Sequence, residues 1–289
     1  MKLSYPPERP KLQPALRQTL VARANMACDA VAAHGSGASV FELRKRAKEI
    51  RGLLRLLRGG WEGARDWNAR IRDAAAKLAP ARDAEVMFAT FDSLTAKRRA
   101  PAEFDSLRDM LLDEIDICDA ALQEDALEQF AATMNAFATD AKALHVPDKT
   151  APVVWHNLGR TWAKGQLAHA QAAQAGQDAT AFHDWRKRLK QHWYQARFFK
   201  PIDRAGLGEH IAQVDALGKT LGAHNDLDVL HMFLRATCPA DPALGRLEPD
   251  LLAARAKLAT QTLSMGRRLY AAPDPAQDWP ARWQTWRNG

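Results

Sequence analysis

The chain has 289 residues, 47% of them hydrophobic, and carries 41 Lys and Arg against 34 Asp and Glu, a formal charge of +7. That is enough chain for one large core or two intimately packed halves, and no run approaches the roughly 18 uninterrupted apolar residues of a membrane span. Three scattered cysteines, Cys28, Cys118 and Cys238, include no C-x-x-C pair, which excludes a disulfide framework or a cysteine zinc site and reads as the reduced thiols of a cytoplasmic protein. The opening residues lack the apolar core of a secretory leader.

Ala, Leu and Arg are abundant and alternating β-branched runs are scarce, so an all-α fold is expected. A first helix is predicted from about Gln13 to Ala33, stopped by His34-Gly35-Ser36-Gly37. Ser39 and Glu42 have the spacing of a capping box and open a basic helix that Gly59-Gly60 ends. A further helix leads to Ala79-Pro80, and another runs from Arg82-Asp83 to about Ala96. Beyond Pro101 the segment is acidic, with Asp105, Asp109, Asp113, Glu114, Asp116, Asp119, Glu124 and Asp125, and leads into an amphipathic stretch ending near Leu144. Pro147 and Pro152 mark a linker, dividing the chain into 1–146 and 147–289.

The second half repeats the order. Val153 to Ala175 reads as helix, Gly176-Gln177-Asp178 breaks it, and Thr180 is the expected N-cap of a second basic helix that Pro201 stops. The next helix is expected to end near Gly222, with another starting around Asn225-Asp226. Pro239 and Pro242 precede a last long helix from about Leu251 to Tyr270. The tail from Trp279 to Trp286 should dock on the body, since exposed tryptophans are costly. The expected architecture is two pseudo-symmetric bundles of about four helices each, packed into one body.

The two basic helices match in phase. With Arg44 laid on Arg186, Lys48 meets Lys190, Arg55 meets Arg197 and Arg58 meets Lys200. On a helical projection Arg44, Lys48, Arg51, Arg55 and Arg58 fall within roughly 80°, a stripe roughly 21 Å long. Leu43, Ala47, Ile50, Leu54 and Leu57 form the apolar stripe beside it, and Glu42 and Glu49 lie on the far side. A lone charge run on a helix is usually a solvated face, but recurrence in phase with acids excluded points to a polyanion partner. Lys45 and Lys187 flank the stripe, while Arg46 and Arg188 are expected in solvent.

His183-Asp184-Trp185-Arg186-Lys187-Arg188-Leu189-Lys190, followed by Leu217-Gly218-Lys219-Thr220-Leu221-Gly222-Ala223-His224-Asn225-Asp226, resembles the second half of a CHAD domain, the conserved histidine α-helical domain. Phe41 to Arg55 and Ala79-Pro80-Ala81-Arg82-Asp83 resemble its first half. The resemblance spans essentially the whole chain. It implies two four-helix bundles with basic residues between them that bind inorganic polyphosphate, without a cofactor and at polyphosphate granules. On that reading the contacts are Arg44, Lys45, Lys48, Arg51, Arg55 and Arg58 from one half and His183, Arg186, Lys187, Lys190, Arg197 and Lys200 from the other. Phe41 stands where the family has its first histidine, and Trp193 stands opposite Arg51, so the halves should contribute unequally.

His183 either donates to phosphate, gaining charge as pH falls through about 6.5, or packs against a neighbouring helix. Asp83 and Asp226 are expected to cap helices or orient an arginine. Trp185 and Phe199 fall on the core stripe, whereas Trp193 projects from the basic one. Two other readings compete. RNA or single-stranded DNA would use the interleaved aromatics. An HD-type metal-dependent phosphohydrolase would gather His156, His183, Asp184 and Asp226 around ions.

Overall fold

A computed structural model describes residues 3–34, 39–96, 101–120, 124–146, 150–176 and 178–289. Among them are eleven α-helices and no strand: α1 Leu12–His34, α2 Val40–Leu54, α3 Ala64–Ala76, α4 Ala79–Thr95, α5 Asp105–Ala120, α6 Glu124–Lys142, α7 Thr150–Gln174, α8 Ala179–Phe199, α9 Gly206–Thr237, α10 Pro242–Tyr270 and α11 Pro275–Asn288. The fold is all-α, as composition and periodicity predict.

Amphipathic faces sort these helices into three cores. Helices α1, α2, α3 and α6 close over Leu16, Leu20, Leu43, Ile50, Ile71, Phe130 and Phe137. Helices α7 to α10 close over Trp162, Trp185, Leu189, Val214, Leu217 and Leu221. The third core joins Phe91, Leu107 and Leu111 of α4 and α5 to Leu230, Leu234 and Leu247 of α9 and α10. The α4–α5 hairpin therefore packs on helices from the other half of the chain, and this carries the start of α4 to the flank of α8.

The two basic helices cross each other. On α2 the apolar stripe is fully buried at Leu43, Ala47, Ile50 and Leu54, which fixes the cationic face beside it. Ser39 caps the helix by accepting from the Glu42 N–H at 3.4 Å. Gly52 makes the crossing possible, because a Cβ there would lie 2.8 Å from the Tyr194 Cβ of α8. Gln195 Nε2 donates to the Gly52 carbonyl at 3.2 Å and ties the helices together.

Several boundaries depart from expectation. The N-cap of α8 is Asp178, not Thr180: its backbone is extended (φ −65, ψ 109) and its carboxylate accepts from the Thr180 N–H at 2.9 Å. Helix α9 runs unbroken through Gly222, because Gly218 and Gly222 are buried under the side chains of Lys190 and Arg186 and are not turn positions. Helix α10 begins at Pro242 behind the Asp241 cap and runs through Pro249, whose cost is offset by the buried Leu244, Leu247 and Leu251 face. The tail docks as expected: Trp279 and Trp283 are buried, and Trp283 Nε1 donates to the Tyr5 hydroxyl at 3.2 Å.

Glu49 and Arg46 are not solvated. Glu49 is fully buried between Arg23 of α1, at 3.5 Å, and Arg46, at 2.9 Å, because α1 packs on the side of α2 that the helical projection left open.

A buried imidazole pair joins α8 to α9. His192 and His210 hydrogen-bond through their Nε2 atoms at 2.7 Å, with Trp162 and Trp279 against them. Burial lowers His210 to about 4 and His192 well below its ordinary value, the latter helped by His210. A folded-state value below the unfolded one, about 6.5, means the folded protein binds fewer protons there. Stability is therefore complete above pH of about 6.5 and falls as pH drops toward 4, by up to about 1.4 kcal/mol per unit for one such group. Urea unfolding of wild type and His210→Phe across that window should show a flatter acid limb in the variant.

Candidate functional site

Between α2 and α8 lies a groove of about 520 Å³, with α4 and α9 as its far walls. Arg44, Lys45 and Lys48 come from α2, and His183, Arg186 and Lys190 from α8; α4 adds Arg82 and Asp83, α9 adds Asn225 and Asp226, and Tyr194 and Trp193 form the floor. Lys48, Arg186 and Lys190 also border a continuation of about 180 Å³ that takes in Arg51, Arg55 and Lys187. Nine of the sequence-derived cations and imidazoles thus lie along one depression.

The remaining three diverge. Arg197 and Lys200 line a different hollow with Leu3, Ser4, Pro201, Arg204 and Ile211. Arg58 leaves the α2 stripe because the backbone tightens to a 3-10 turn at Arg55–Leu57 and then becomes extended (φ −60, ψ 129). Asn157 of α7 holds this exit, donating from Nδ2 to the carbonyls of Leu56 at 3.1 Å and Arg58 at 2.8 Å.

Within the groove the cations differ in freedom. Arg44 donates to the Ala79 carbonyl at 2.9 Å and to Asp83 at 3.3 Å, so the carboxylate orients an arginine as expected. Lys45 is held by Glu42 at 2.8 Å and Lys187 by Asp184 at 3.0 Å, partly or largely exposed pairs of a kind worth little. The guanidinium of Arg186 lies over Gly222 and the end of the Lys190 side chain over Gly218, within 3.7 and 3.6 Å of where a Cβ would stand. The Arg186 Nε is buried with no hydrogen-bond partner among the described residues. Lys190 sits over the Trp193 ring at 4.2 Å and Arg197 at 4.5 Å, so cations occupy the π surface that a stacked base would need.

His183 Nδ1 hydrogen-bonds Asn225 Oδ1 across to α9, which settles its position on the groove wall. Burial raises the Asp226 carboxyl, with nearby Arg186 pulling the other way. Sequence reasoning missed Arg82 and Asn225 as wall residues, although Arg82-Asp83 and Asn225-Asp226 lie in the two motifs that carried the family resemblance. Phe41, at the histidine position, is 52% exposed at the groove mouth, with Lys45 and Arg82 at 5.7 and 5.6 Å from its ring.

Lys48 stands where the two parts of the groove meet. Water still reaches it, yet protein walls surround it on its other sides; this burial first, and then the like charges of Arg44 and Arg186, lower its ammonium to about 8. Burial also presses Lys190 and Arg55 downward, the latter together with Arg51, Arg58 and Arg188, although a guanidinium stays charged. Around Lys48 the like charges of Arg44, Arg186 and Lys190 outweigh the one acid that acts on it, Asp83, so the net effect is repulsive. Lys48→Gln should accordingly raise thermal stability of the ligand-free protein slightly, by up to about 0.5 kcal/mol, while weakening anion binding. A lowered melting temperature in calorimetry would contradict the repulsion.

The H…HD…D set does not gather. His156 is exposed on α7, His183 and Asp184 have the partners named above, and among the described residues no group of three or more His, Cys, Asp or Glu could hold a metal. No helix among them is long and apolar enough to cross a membrane.

An all-helical body with a cation-lined groove between α2 and α8 defines the class of the protein: a helical domain built around a basic surface. The CHAD domain family model matches residues 9–235, and the chain belongs to that family. A crystal structure of the CHAD domain from the plant Ricinus communis is similar in fold, with a TM-score of 0.59, 19% identity and 94% of each chain covered. No curated protein matches the chain.

Proposed function

We propose that this chain binds inorganic polyphosphate in the groove between α2 and α8, as a non-catalytic module that holds the polymer or brings the protein to polyphosphate granules. The observation that carries this is the convergence on Lys48 of Arg44, Arg186 and Lys190, from two helices far apart in sequence, with burial and like charge working against each other's ionisation. A dense anion offsets this charge further than Asp83 does alone. Arginine forks take phosphoryl oxygens in pairs and lysines act as point charges, and such phosphate contacts carry no sequence information. The engagement of Trp193 by Lys190 and Arg197 favours polyphosphate over RNA.

Competition binding with long-chain polyphosphate, pyrophosphate and RNA at several salt concentrations tests this. Polyphosphate should win, with a log-log salt slope of roughly −3.5 or steeper for five engaged cations, by analogy with single-stranded nucleic acid. A flat salt response, or RNA winning, would remove the proposal.

A further inference from the structure

The chain holds a second cation cluster that the groove does not explain. Arg58, turned away from α2, faces α7, where Asn157 grips its carbonyl at 2.8 Å. Arg160 and Lys164 follow Asn157 by three and seven residues, so all three share one face of α7. Helix α8 lies beside α7, pinned where Gln195 Nε2 donates to Thr161 Oγ1 at 3.4 Å. Arg188 sits two turns before Gln195, toward the Lys164 end of this antiparallel pair.

Arg58 and Lys164 each lie within reach of the other members' charges. Burial and then Arg65, Arg160 and Arg188 act on Arg58, while burial and then Arg160, Arg188 and Arg58 act on Lys164. None of the four has an ion-pair partner among the described residues, unlike Arg46, Arg82 or Arg235, which all have acids in contact. Four cations from three elements, with Asp184, already paired to Lys187, as the acid that acts on Arg188, create a local potential that an anion relieves. The cluster also adjoins the groove, since Arg55 lines its far end and feels both Arg58 and Arg188.

We infer that Arg58, Arg160, Lys164 and Arg188 form a second phosphate-binding subsite that extends the groove over the edge of α8 onto α7, so that a long polyphosphate chain occupies both and a short one only the groove. This rests on the function proposed above. It assigns to Arg188 a contact where sequence alone put it in solvent.

The test compares tripolyphosphate with long-chain polyphosphate on three proteins: wild type, Arg160→Gln/Lys164→Gln, and a charge-matched control, Lys257→Gln/Arg267→Gln, whose residues are exposed on α10. Arg160 and Lys164 are themselves exposed, and circular dichroism checks that helicity is kept. The first variant should bind long chains roughly tenfold more weakly at 0.15 M salt, with a log-log salt slope shallower by about 1.4, the loss of two contacts. Its tripolyphosphate affinity should match that of the control. Long-chain affinity equal to the control's would overturn the subsite while leaving the groove intact, and so would an equal loss for short and long chains, which marks a diffuse field. Wild type binding neither polymer would overturn the function itself, and the subsite with it.

Discussion

Arg186→Gln together with Lys190→Gln should lower polyphosphate affinity by about 100-fold or more, since each removes a charge-assisted contact of about 1.5–3 kcal/mol. Glutamine keeps each side chain as far as Cδ and loses only the outer atoms that lie over Gly222 and Gly218, and neither substitution leaves a new buried charge. Asp215 and Asp226, the carboxylates nearest these cations, lose an attractive neighbour at partly solvated positions, so the folded state should survive. Titration calorimetry with long-chain polyphosphate measures the loss, and far-ultraviolet circular dichroism confirms helicity. Undiminished affinity in the folded variant would place the anion elsewhere on the molecule.

Glu49→Gln should be the most destabilising conservative change on α2. The carboxylate is completely buried between Arg23, also completely buried, and Arg46. Removing its charge leaves the Arg23 guanidinium in a site where burial already disfavours it. Breaking a buried ion pair by deleting one partner costs about 3–5 kcal/mol, or roughly 2–4 °C of melting temperature per kcal/mol for a chain of this size. Replacing both partners, as Arg23→Met with Glu49→Leu, should recover most of that loss, because Arg46 keeps Glu42 at 3.0 Å. Urea denaturation of the single and double variants decides. A Glu49→Gln protein as stable as wild type would show that the triad contributes nothing net.

This triad illustrates how far a helical projection reaches. The spacing of Leu43, Ala47, Ile50 and Leu54 located the buried face of α2 correctly, and the cationic stripe followed from it. The same projection left Arg46 in solvent and Glu49 on the far side with no partner named, because it knows one helix at a time. Helix α1 covers that third side. The glycines of α9 teach a similar lesson: Gly222 reads locally as a helix stop, yet it is a flat place on a continuous helix over which Arg186 lies.

Sequence by itself determined the all-α class, most of the helices and many of their ends, the in-phase duplication of the basic helices, and the family. These are local or periodic properties: side-chain spacing, caps and prolines act within a few residues of where they are written. The docking of the tryptophan tail also followed from composition, through the cost of exposing so much apolar ring. Only the tertiary structure decided which cations share a surface. The crossing at Gly52 and Tyr194 set Lys48 beside Arg186 and Lys190, while the α4–α5 hairpin, packed on α9 and α10, added Arg82 with Asp83 and put acids on a stripe that carried none of its own. A 3-10 turn lasting three residues sent Arg58 to α7, and the path of α8 separated Arg197 and Lys200 from the groove. Charge acts through space over distances longer than a helical turn, so a list of basic positions becomes a binding surface only once the packing of other helices has chosen their neighbours.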